Sequence, residues 1–195
     1  MKPQLVVMLK EPRAGRVKTR LGRDIGMTSA AWWFRHQVAD LLRRIDDPRW
    51  DLLLAVSPLS AVTTSRTWPA HLPRRAQGHG DLGQRMARQF RQPRKGPICI
   101  IGGDIPGITR SQVARAFQAL GANEAVFGPA PDGGYWLVGL KRTAPPPPSL
   151  FENVRWSSPN ALSDSIASLP GKRIAMIDTL RDVDTVADLS QTFHR

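Results

Sequence analysis

Two runs of wholly apolar residues, Leu5-Val6-Val7-Met8-Leu9 and Ile98-Cys99-Ile100-Ile101, constrain the fold more than any other feature of this sequence. A strand with one face in water alternates apolar and polar residues, whereas a strand covered on both faces does not need to. Short continuous runs therefore predict central strands with helices on either side. Further strands are expected over 52–56, 125–127, 135–140 and 173–177. Helical periodicity is expected over 28–45, 82–92, 112–120 and 158–168, with a last helix opened by a Thr185/Asp188 capping box. Thr28 is the expected cap of the first helix, whose apolar face reads as Trp32, Trp33, Val38, Leu41, Leu42 and Ile45. Thr109 or Ser111 should cap the third, and Gly121 should stop it. Segments 10–22 and 57–80 read as loops, the second with a short helix after Pro58, and Pro145–Pro148 as a stiff surface excursion. The repeated order of strand and helix predicts an α/β fold with a mainly parallel sheet and helices on both faces. At 195 residues, a single domain over 1–195 is expected.

The apolar runs are far below the roughly 20 residues that span a bilayer, and the N-terminus lacks the pattern of a signal peptide, so a cytoplasmic location is expected. Cys99 is the only cysteine, which excludes disulfide scaffolds and thiolate zinc sites and leaves it a role in strand packing. A net charge of +12 would suit a nucleic-acid binder. Against this, arginine outnumbers lysine 22 to 6, a bias that coding composition alone can produce. The charge clusters in Lys10 to Arg23 and in Arg66 to Lys95, where Asp81 is the only acid. No stacking stripe of aromatic residues accompanies either cluster.

Ligands of such sheets bind beyond the carboxyl ends of the strands. After the first strand comes a cationic loop, Lys10 to Arg20, in which Gly15 allows close backbone approach while Arg16, Lys18 and Arg20 supply charge for a polyphosphate. It is not a Walker A loop, because Val17 stands where glycine is required. After the central strand comes Gly102-Gly103-Asp104, a costly place for a carboxylate unless it meets a metal, a hydrogen-bond network or water. Asp132-Gly133-Gly134 follows the next strand and also fits an ordinary turn. Asp182 and Asp184 fit either shared coordination of a divalent ion or capping of the last helix. Gly78-x-Gly80-x-x-Gly83 matches a dinucleotide fingerprint, but no buried strand is expected before it, so a loop leading into a helix near the ligand is the better reading. No GxSxG or HExxH occurs, and His36, His71, His79 and His194 are scattered, which disfavours hydrolase triads and histidine metal sites.

Five ordered motifs, Lys10-x-Pro-x-x-Gly-x-Val-Lys-Thr-Arg-Leu21, Asp81-Leu-Gly-x-Arg-Met86, Gly103-Asp-x-Pro106, Gly128-Pro-x-x-Asp-Gly-Gly-Tyr135 and Asp182-Val-Asp-Thr185, span nearly the whole chain. Together they resemble the bacterial glycosyltransferase-like family related to arsenosugar-biosynthesis enzymes. That family lies in the nucleotide-diphospho-sugar transferase, or glycosyltransferase-A, superfamily and is distantly similar to phospholactate and molybdenum-cofactor guanylyltransferases. The resemblance implies a Rossmann-like glycosyltransferase-A domain that binds a nucleotide through Gly15, Arg16, Lys18, Arg20, Gly83 and Asp104. It further implies Mg²⁺ or Mn²⁺ on Asp104, Asp182 and Asp184, catalysis by Lys18, Arg20 and Asp104, and a small-molecule acceptor at Asp132, Gly133 and Gly134.

Asp104-Ile-Pro106 supplies one carboxylate where many glycosyltransferases carry a DxD pair, and the GRVKTR loop suits a triphosphate better than a sugar diphosphate. Nucleotidyl transfer from a nucleoside triphosphate to an acceptor phosphate or carboxylate, with release of pyrophosphate, is therefore the first expectation. Glycosyl transfer from a nucleotide sugar is the second, and non-catalytic nucleic-acid binding a distant third. The tryptophans of the first helix have more apolar surface than one core face needs, which suggests a homodimer.

Overall fold

The computed structural model describes residues 1–93 and 95–192. Its seven strands are β1 (Gln4–Lys10), β2 (Asp51–Ser57), β3 (Arg74–Ala76), β4 (Ile98–Gly102), β5 (Ala125–Pro129), β6 (Tyr135–Leu140) and β7 (Ile174–Met176). They form one sheet in the order β3-β2-β1-β4-β6-β5-β7. Pairing is parallel between β1 and β2, β1 and β4, β2 and β3, and β5 and β7; β6 alone runs antiparallel to its neighbours β4 and β5. The chain therefore turns back after β5, which brings the Asp132 turn and the start of β6 to the same edge as the ends of β1 and β4.

The apolar runs behave as their composition predicts. Leu5, Val7 and Leu9 face one core, while Val6 faces the other, all at most 1% exposed. The first core packs α2 (Met27–Ile45), α3 (Ala61–Thr64) and α5 (Arg110–Ala122) against the sheet. The second packs α4 (Leu82–Phe90) together with Leu150, Phe151 and Val154. Cys99 is fully buried beside Gly139, where a Cβ would lie 2.7 Å from its sulfur. Among the described residues no helix is long and apolar enough to cross a membrane.

Several local expectations change. The segment to Gly22 is not all loop: α1 (Thr19–Ile25) begins at Thr19, because buried Leu21 and the close contact of Gly22 with Met27 dock it against α2. Gly26, not Thr28, precedes α2 and makes no side-chain cap. The apolar face of α2 includes Phe34, and Trp32 turns outward at 64% exposure, in tilted contact with His36 at 3.9 Å between ring centroids. Residues 74–76 pair with β2 as a short edge strand that their arginines concealed. α4 ends at Phe90 rather than 92, and α5 runs through Gly121 to Ala122. α6 (Ala161–Ala167) starts after Asn160, not at Ser158. Thr109 caps α5, one of the two residues expected to, and Gln112 completes a capping box with it. Asp188 accepts from the backbone N–H and the hydroxyl of Thr185 at the start of α7 (Val186–Thr192), so the threonine hydroxyl donates where a capping box would have it accept.

Candidate active site

Two polar contacts place the first loop. Gln77, 4% exposed, donates through Nε2 to the carbonyls of Leu9 and Ala55 at 2.9 Å each, which ties the ends of β1 and β2 together. Glu11 Oε1 accepts from Ser65 and Thr67 hydroxyls at 3.0 and 3.2 Å. The loop then turns through Gly15 (φ +73°), sinks Val17 into the core at 5% exposure and sets Lys18 in the left-handed region (φ 45°, ψ 48°) before α1. Val17 is the anchor that leaves Arg16 outside and directs the Lys18 side chain inward, where it is 6% exposed.

At the end of β4, Gly103 packs directly onto Leu9; a Cβ there would sit 2.4 Å from its Cδ2. This close approach sets the following Asp104 at the sheet edge. The backbone of Val183 donates to the Asp104 carbonyl at 3.3 Å, and the Val183 side chain is buried. One buried residue thus presents its two neighbours, Asp182 and Asp184, to Asp104. Oxygens of the three carboxylates lie within 4.8 Å of one another.

Lys18 Nζ lies 2.7 Å from Asp104 Oδ2 and 2.7 Å from Asp184 Oδ1, and Arg20 Nη1 lies 3.0 Å from Asp184 Oδ2. Burial acts to lower the Lys18 pKa, but the Asp104 and Asp184 carboxylates outweigh it and hold the ammonium above its ordinary value. Burial first, then the Asp184, Asp104 and Asp132 carboxylates against an opposing Lys18, push the Asp182 carboxyl up to about 6. Three carboxylates here face two cations, Lys18 and Arg20, so negative charge remains in excess. Three oxygen-donor side chains with excess negative charge suit a hard divalent cation such as Mg²⁺ or Mn²⁺.

These groups line a cleft of about 870 Å³. Arg16, Lys18, Arg20, Asp104, Asp132, Gly134, Asp182 and Asp184 all border it; Gly15, Gly83 and Gly133 do not. Gly83 lies within α4 against Phe151 and Trp156, and Gly133 (φ +84°) turns tightly against the backbone of Pro159. Asp132 accepts from the Gly134 backbone N–H at 2.9 Å, the turn chemistry its sequence allows. Sequence reasoning missed Arg85, Trp156 and Ser157 on the cleft wall. Only the Arg85 position within the Asp81-Leu-Gly-x-Arg-Met86 motif gave a signal.

Several arginines of the basic stretch 66–95 are committed to the protein's own backbone. Arg74 donates to the Ser65 and Trp68 carbonyls, Arg88 to those of Gln77 and His79, and Arg91 to that of Pro148. Arginines used in this way are held by the fold rather than arrayed for phosphates. His79 is exposed, and His36 lies against Trp32, far in sequence from the acidic group; His194 lies outside the described residues.

No curated protein matches this chain. Among solved structures, a protein from Desulfovibrio desulfuricans G20 that has been proposed to be a nucleotide-diphospho-sugar transferase is 28% identical, with a TM-score of 0.88 over 99% of this chain and 87% of that one. CMP:2-keto-3-deoxy-manno-octonic acid synthetase complexed with CTP is 12% identical, with a TM-score of 0.58 over 98% and 97%. The manganese complex of Rv0371C from Mycobacterium tuberculosis H37Rv is 18% identical, with a TM-score of 0.54 over 98% and 97%. The fold is that of the nucleotide-diphospho-sugar transferase superfamily. Residues 41–158 match the family model described as "Uncharacterized protein conserved in bacteria (DUF2064)", and the chain belongs to that family.

Proposed function

We propose that this chain is a single-domain, cytoplasmic, divalent-metal-dependent nucleotidyltransferase that joins a nucleoside monophosphate unit to an acceptor phosphate or carboxylate. The observation that carries this reading is the meeting of the cationic loop, through Lys18 and Arg20, with Asp104, Asp182 and Asp184 at one end of a single cleft. Such a junction of cations and carboxylates is what a triphosphate with its counter-ion requires. The CTP complex of one structural relative and the manganese complex of another are consistent with it.

Asp104, Asp182 and Asp184 would hold the ion. A divalent cation there supplies charge neutralisation for the triphosphate. Arg16, Lys18 and Arg20 bind and orient the phosphates, and Lys18 and Arg20 stabilise the charge that develops on the leaving group. An acceptor oxygen, positioned near Asp132 and Gly134, attacks the α-phosphorus in line; the new P–O bond forms as the bond to the bridging oxygen breaks and pyrophosphate departs. An acceptor already ionised at neutral pH needs no general base, in keeping with a cleft whose lining contains no histidine.

Glycosyl transfer from a nucleotide sugar is the second reading, favoured by the D. desulfuricans relative. A thermal-shift panel of nucleoside triphosphates and nucleotide sugars with Mg²⁺ or Mn²⁺, followed by a pyrophosphate-release assay on the triphosphate that binds, separates the two. Metal-dependent stabilisation by one triphosphate supports nucleotidyl transfer. Stabilisation by nucleotide sugars alone moves the assignment to glycosyl transfer.

A further inference from the structure

Both oxygens of Asp184 already carry a cation: Lys18 lies on Oδ1 at 2.7 Å and Arg20 on Oδ2 at 3.0 Å. Lys18 also holds Asp104 Oδ2 at 2.7 Å. Two of the three carboxylates expected to bind a metal are thus engaged by the two side chains expected to bind phosphate. An ammonium and a guanidinium on these oxygens repel an incoming cation and compete with it for Asp184. We infer that Lys18 and Arg20 act as exchangeable counter-cations, seated on Asp104 and Asp184 in the nucleotide-free protein and passed to the triphosphate when metal and nucleotide bind together. This inference rests on the proposed triphosphate and metal site and assigns its regulation.

Three observations support the exchange. The Lys18 side chain is 6% exposed, so its ammonium cannot leave the carboxylates for nothing; it needs another anion in the same place, and the phosphates would bring one. The lysine stem is long and flexible, which allows the head to move by a few ångströms without a change in backbone. Arg20 is 66% exposed and free to swing toward the open cleft. The consequence is cooperative loading: metal alone competes against two resident cations, whereas metal arriving with a triphosphate does not. A free enzyme built this way resists occupation of its acidic group by metal until substrate is present.

The test is a Mn²⁺ titration of the nucleotide-free protein, read as free Mn²⁺ by electron paramagnetic resonance, on wild type, Lys18→Met and Arg20→Gln. The expected result is Mn²⁺ binding at least tenfold tighter in Lys18→Met and at least threefold tighter in Arg20→Gln, with a larger Mn²⁺-induced rise in Tm for each. Arg20 is exposed, so its variant decides the matter should Lys18→Met fail to fold. Equal or weaker Mn²⁺ affinity in the folded variants overturns the exchange and leaves the metal site standing. No Mn²⁺ binding by any of the three proteins overturns both the exchange and the metal reading beneath it.

Discussion

Lys18 and Asp184, 166 residues apart in sequence, meet at 2.7 Å between Nζ and Oδ1. The contact joins the loop after the first strand to the segment before the last helix, and it places one cation where the protein's carboxylates and an incoming triphosphate would compete for it. If Lys18 serves the phosphates, Lys18→Ala weakens nucleoside triphosphate binding at least tenfold by calorimetry while strengthening the binding of metal alone. These opposite signs follow from one side chain with two anionic partners. Unchanged triphosphate affinity would remove Lys18 from the nucleotide site.

Asp104 sits nearest the centre of the sheet and is joined to Lys18 on one side and, through its carbonyl, to Val183 on the other. Asp104→Ala should abolish the metal-dependent part of triphosphate stabilisation. In wild type, ligand at about 100 times its Kd raises stability by roughly 2.7 kcal/mol, a shift readily seen in Tm. Retention of the full metal-dependent shift in the variant would exclude Asp104 as a ligand.

Gly83 has a packing role that differs from the nucleotide contact expected of it. A Cβ at this position would stand 2.8 Å from Trp156 Cζ2 and 2.9 Å from Phe151 Cβ. Gly83→Ala should therefore destabilise the protein by about 1–3 kcal/mol through overpacking of α4 against the 151–156 wall. The midpoint of urea unfolding reads this directly, and an unchanged midpoint would show that the wall gives way without cost.

Gln77 offers a second structural test. Replacing it with Met keeps its volume but leaves the Leu9 and Ala55 carbonyls without the amide that serves both. Loss of these buried bonds should cost about 1–3 kcal/mol. Because Leu9 leads directly into the cationic loop, triphosphate affinity should fall as well; intact affinity at reduced stability would confine Gln77 to the sheet.

Asp164 provides the pH test. Its side chain accepts from the Arg155 guanidinium at 2.9 Å and from the Arg155 backbone N–H at 3.0 Å, and these bonds hold its carboxyl down at about 2 against an ordinary 3.8. A carboxyl with a depressed folded-state pKa contributes stability that is complete above the unfolded value and is lost as pH falls through the folded one. Between pH 4 and pH 2, wild type should therefore lose stability more steeply than Asp164→Asn. Parallel acid-unfolding profiles would show that the pair contributes nothing measurable.

Local sequence by itself determined every described strand but β3 and most helices, because an apolar run such as Leu5–Leu9 and a cap such as Thr109 act over only a few neighbouring residues. It also marked the residues after each strand as the place to look, since a mainly parallel sheet leaves its carboxyl edge open to ligands. What it could not determine depends on distant partners. Gly22 reads as a breaker until Met27 packs against it, Arg74–Ala76 reads as loop until β2 pairs with it, and Trp32 reads as core until α2 docks with that side outward. The same holds at the site: Val17 and Val183, each buried, turn their charged neighbours into one cluster, and only the tertiary structure decided that Lys18 and Arg20 rest on Asp184. Charge in a sequence has a sign but no partner; the partner is chosen by burial, which makes an unpaired charge too costly to keep.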